Sequence, residues 1–108
     1  RPAPPLDLAK RGALHFSEVD RERFPALEIA IEAGQRDDSS AAAVAGADES
    51  AVTHFLAGRI RFMDIPRLLR RTLDTHKPTE GRPTLDELLA AERWGREFVD
   101  QAVAAGVS

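Results

Sequence analysis

Residues 41–47 read Ala-Ala-Ala-Val-Ala-Gly-Ala, and this run narrows the choice of fold more than any other stretch. Alanine is the strongest helix former. The run leads into Val44, Ala47, Ala51, Val52, Phe55 and Leu56, a broad apolar stripe at helical spacing. Glu49, Ser50, Thr53 and His54 fall mostly outside the stripe. The spacing predicts a helix with Ser39 or Ser40 as its N-cap and Gly58 as the glycine just past its end. A helix so rich in Ala and Gly lets another backbone approach closely.

The rest of the chain follows the same period. Pro25 suits a first helical turn, because its missing N–H costs nothing there. Phe24, Leu27 and Ile31, with Ala26, Ile29, Ala30 and Ala33, give a helix that ends at Gly34 or at Arg36-Asp37-Asp38. Arg59-Ile60-Arg61-Phe62 is too short for a sheet and reads as a connector with Ile60 and Phe62 tucked inward. Asp64 is then expected to cap a helix that carries Pro66 in its first turn and buries Ile65, Leu68, Leu69, Thr72 and Leu73. A loop with Pro78, Gly81 and Pro83 follows. Thr84-Leu85-Asp86-Glu87 has the capping-box pattern. With Leu85 it opens an apolar series that continues through Leu88, Leu89, Trp94, Phe98, Val99, Ala102 and Val103, with a possible break at Ala90-Ala91-Glu92. The expectation is an all-α chain, a small three- to four-helix bundle over residues 24–108. Residues 1–23 read as an irregular linker and anchor segment. It is stiffened by Arg1-Pro2-Ala3-Pro4-Pro5, carries Leu6, Leu8, Leu14 and Phe16 as apolar anchors, and suggests part of a longer chain.

Composition excludes several classes of function. There is no Cys among the 108 residues, so disulfides and thiolate metal sites are out, which is compatible with a reducing cytoplasm. No apolar run approaches the ~18 residues that span a bilayer. A net charge of −3 argues against general nucleic-acid binding. The excess of Arg over Lys, with so much Ala, suggests a bacterial, GC-rich source.

No catalytic pattern is complete. His15, His54 and His76 lack metal-ligand spacing and read as structural or surface residues. There is no glycine-rich phosphate loop and no nucleophile elbow. Arg59, Arg61, Arg67, Arg70 and Arg71 form a basic cluster that could dock phosphates. Apart from Phe62 it lacks aromatic interleaving, so a solvated face, or a surface pairing with acids on another domain, is the stronger reading. Asp37-Asp38 reads as a loop leading into a helix N-terminus. Asp48-Glu49 lies mid-helix and reads as a flank with a polar contact to a neighbour.

Phe24-Pro25-Ala26-Leu27-Glu28-Ile29-Ala30-Ile31-Glu32-Ala33 resembles the F-P-x-L-x-x-A-x-E-A segment of 1-deoxy-D-xylulose 5-phosphate reductoisomerases. Phe55-Leu56-Ala57-Gly58-Arg59-Ile60-Arg61-Phe62-Met63-Asp64-Ile65 resembles their F-L-x-x-x-I-x-F-x-D-I segment, in the right order. The resemblance extends over nearly the whole chain. It implies the C-terminal helical domain of an enzyme that uses NADPH and a divalent metal, Mg or Mn, in isoprenoid synthesis by the non-mevalonate route. The expected partners are the upstream catalytic and NADPH-binding domains of the same chain, in a cytoplasmic, homodimeric parent. No catalytic, cofactor or metal residue, no nucleic acid and no membrane is expected for this segment. The family usually reads N-A-A-N-E where this chain has Ala45-Gly46-Ala47-Asp48-Glu49, so Ala45 and Asp48 replace its two Asn residues. Asp48 and Glu49 are therefore expected at a contact between domains. The rival reading is a free-standing interaction module that accepts a partner helix on its Ala/Gly face.

Overall fold

A computed structural model of the chain describes residues 25–106. The expected boundary between residues 23 and 24, and the anchors Leu6, Leu8, Leu14 and Phe16, lie outside the described residues. Four helices follow one another: α1 Pro25–Gln35, α2 Ser40–Leu56, α3 Asp64–Thr75 and α4 Leu85–Ala104. Among the described residues there is no β-strand, and the all-α expectation holds with four helices.

The core is built from part of the expected stripes; Val52 and Leu56 of α2 and Leu85 and Leu89 of α4 stay exposed. All five residues assigned to the inner face of α3 are buried, with Leu68, Leu69 and Leu73 essentially sealed from solvent. Ile29 and Ala33 from α1, Val44, Ala47 and Ala51 from α2, and Val99 from α4 join them. Each fully buried Leu stabilises the fold by about 1.5–3 kcal/mol relative to an exposed one.

The Ala/Gly face of α2 is covered by α4. Gly46 on α2 and Gly95 on α4 are both buried at the crossing. A Cβ on Gly46 would overlap the carbonyl oxygen of Glu92, and one on Gly95 would overlap the carbonyl oxygen of Ala43. Each helix thus rests its backbone in a notch made by a glycine of the other. The small-residue surface behind the interaction-module reading is occupied by the chain's own last helix.

Local signals fell into place unevenly. Gly58 takes a left-handed φ of 77°. Its N–H donates to Phe55 O, and that of Arg59 donates to His54 O, closing α2 in a Schellman motif. Thr84 and Glu87 form the full capping box. Four expectations need correction. The possible break at Ala90–Glu92 is absent: α4 runs unbroken for 20 residues, with Ala91 buried and the Glu92 backbone and Gly95 set against α2. Neither Ser39 nor Ser40 caps α2 with its side chain. The Asp38 carboxylate does so, accepting the Ser40 N–H at 2.7 Å, just after Asp37 turns the chain at φ 56°. Asp64 faces backward, accepting the Arg61 N–H at 2.9 Å rather than capping α3 from outside. In the connector Ile60 packs on the core, but Phe62 stays 47% exposed, edge-on to Phe55.

Candidate functional site

Asp48 and Glu49 are neighbours in sequence that part company in space. Successive residues of a helix are turned about 100° from one another. Glu49 lies on the α4 side, where its carboxylate accepts two hydrogen bonds from Arg96, at 2.6 and 3.1 Å. Glu92 flanks the same guanidinium at 3.4 Å. The bond to Glu49 holds Arg96 above its ordinary pKa.

Asp48 lies on the other flank. It borders a hollow of about 160 Å³ shared with Pro25, Ala26, Val52, Met63, Ile65 and Pro66, and a second one against Leu27, Ala30, Val44 and Leu69. No hydrogen bond or ion pair reaches its carboxylate from the described residues. The residue as a whole is exposed, yet the apolar walls thin the water around the carboxyl and push its pKa up. Val52, Leu56 and Met63, beside or beyond it, are 37%, 77% and 53% exposed.

A polar cluster that sequence spacing did not reveal joins α2 to α4. Ser50 Oγ donates to Asp100 Oδ1 at 2.6 Å, and His54 Nε2 lies 2.8 Å from the same oxygen. Arg59 Nη1 stands 3.2 Å from His54 Nδ1. A guanidinium can only donate, so Nδ1 accepts and the ring proton sits on Nε2, facing Asp100. The hydrogen bonds from Ser50 and His54 hold the Asp100 carboxyl below its usual value. A serine, a histidine and an aspartate meet here, but not in the order of a hydrolytic triad. There the imidazole stands between hydroxyl and carboxylate; here both groups bind one carboxylate oxygen, and Ser50 is buried. The arrangement ties two helices together. Its sequence trace was the Ser50–His54 spacing of one turn; the carboxylate came from 46 residues away.

His76 anchors the far end of α2. Its Nε2 is 2.8 Å from Ser39 Oγ, which also accepts the Thr79 N–H at 3.1 Å. Its ring leans on Trp94, which stacks on Phe98. His15 lies outside the described residues. Among the described residues no three His, Asp or Glu side chains gather as a metal ion requires.

Three of the five clustered arginines are engaged by the chain's own acids. Arg70 binds Glu32 at 2.8 Å and approaches Asp74 at 3.5 Å. Arg61 and Arg67 flank Asp64 at 3.8 and 3.9 Å. The acids these arginines meet belong to this domain, not to another one as the sequence led us to expect.

Comparison with known proteins gives a consistent result. The model of the DXP reductoisomerase C-terminal domain matches residues 1–98. A 1-deoxy-D-xylulose 5-phosphate reductoisomerase of Thermomicrobium roseum is 45% identical over 96% of this chain and 27% of that protein. One of Moorella thermoacetica is 46% identical over 96% of the chain and 26% of that protein, and one of Gloeobacter violaceus 43% over 91% and 25%. The chain spans about a quarter of the length of these curated relatives. No solved structure matches it.

Proposed function

The chain belongs to the DXP reductoisomerase C-terminal domain family, and from that membership we propose that it is the helical buttress of a longer reductoisomerase. That enzyme converts 1-deoxy-D-xylulose 5-phosphate to 2-C-methyl-D-erythritol 4-phosphate, in a bacterial cytoplasm and as a homodimer. The observation that carries this reading is the family match over residues 1–98, on a chain a quarter the length of its relatives.

NADPH and a divalent metal supply the reduction and the polarisation of substrate oxygens in such an enzyme. The described residues do not fit either group: they offer no cluster of metal ligands and no glycine-rich turn into a helix N-terminus. Both are assigned to the upstream domains, and this segment contributes a rigid surface to them. Of the two residues expected at the domain contact, Asp48 supports it better, because Glu49 already has Arg96 as partner.

Calorimetry tests the assignment. NADPH titrated into the 108-residue chain gives no binding heat, whereas a full-length relative such as that of Thermomicrobium roseum binds it. Tight binding by the isolated chain would move the cofactor site into this segment and end the buttress reading.

A further inference from the structure

The buttress reading leaves open which face of the bundle meets the upstream domains. We propose that the seat is the flank of α2 made by Asp48, Val52 and Leu56 with Met63, and that it takes an apolar segment of the upstream polypeptide bearing one Lys or Arg opposite Asp48.

The first ground is geometric. Asp48, Val52 and Leu56 follow at four-residue intervals, so they share one side of α2. Met63 from the connector borders the same hollow as Asp48 and Val52. Three sizeable apolar side chains therefore stand exposed beside one carboxylate.

The second ground is charge. Glu32, Glu49, Asp64 and Asp100 all have basic partners within the domain. Asp48 has none among the described residues, although apolar walls have displaced part of its water. A carboxylate in that setting gains more from a cation than a fully hydrated one, and loses more when covered without one. The complement is thus an apolar surface with a basic side chain, and a second copy of this face would set carboxylate against carboxylate. The third ground is length: about three quarters of the relatives' chain lies outside this one.

The test compares the 108-residue chain alone with a reductoisomerase in which it replaces the C-terminal quarter of the Thermomicrobium roseum relative. Met63 is the chain's one methionine, and peptide mapping after peroxide oxidation follows that position in both proteins. Carbodiimide labelling with an amine reads Asp48. Both reactions should slow by about tenfold or more in the joined protein. Asp48→Lys should restore Met63 oxidation there, Asp48→Asn should do so less, and circular dichroism should show both variants folded. Amide exchange near Leu85 and Leu89, the other exposed apolar pair, should be unchanged by joining. Protection at Leu85 and Leu89 instead would overturn this face and leave the buttress reading standing. Protection of Met63 and Asp48 already in the isolated chain would mean that residues 1–24 cover the face, and would also overturn it. No protection anywhere on joining would bring down both readings.

Discussion

At the scale of single residues, the groups that matter are those whose partners come from far along the chain. The sequence offers Ser39 or Ser40 as the cap of α2, whereas the side chain that caps it is that of Asp38. The choice depends on His76, which engages the Ser39 hydroxyl and leaves the carboxylate of Asp38 for the cap. For the same reason Asp100 could not be paired with His54 from spacing. By contrast, Gly58 and the Thr84–Glu87 box were legible, because each acts within a few residues of itself. His76 gives a pH prediction. Burial holds its imidazole below the ordinary histidine value, Asp38 opposes this and Arg36 adds to it. The unfolded chain therefore takes up a proton near pH 6.5 that the folded chain refuses. Stability should be complete above about pH 6.5 and decline as pH falls from there to the lower folded value. Thermal melts between about pH 7.5 and 5.5 should show this decline, and His76→Phe should flatten it.

Among elements, the α2–α4 crossing decides most. Gly46→Ala must push Glu92 away by its backbone, so it should cost about 2–3 kcal/mol despite alanine's better helix propensity. Gly34→Ala meets nothing within 4 Å and should instead stabilise by about 0.5–1 kcal/mol. Urea unfolding of the two variants gives both signs in one experiment; equal effects would refute the close crossing. The run at 41–47 announced that some backbone would lie on α2, but not whose. The continuity of α4 through Ala90–Glu92 was similarly hidden. The same small residues that look like a weak point in one dimension are the contact surface in three. The inner face of α3 was fully legible, since Leu68, Leu69, Thr72 and Leu73 repeat at a strict helical period and meet no competing signal.

Across the whole molecule, apolar contact between helices outweighs charge. The ion pairs Glu32–Arg70, Glu49–Arg96 and Arg36–Glu32 lie at half-exposed or exposed positions. Each contributes about 0–1 kcal/mol and is screened by salt. Raising ionic strength from about 0.1 to about 1 M should therefore shift the thermal midpoint by no more than about 5 °C. A loss much beyond that would show that the charged surface, not the core, holds the bundle. The glycine crossing has a mechanical corollary. With Gly46 seated against Glu92 and Gly95 against Ala43, α2 and α4 cannot slide by a turn without driving a carbonyl into a backbone. Close-packed interiors shift between discrete arrangements rather than deform smoothly. A load applied to either helix is thus passed to the other, and the two should move together. Whatever sits on the Asp48 flank is fixed in bearing by α4 on the opposite side, with no hinge between them to absorb a change.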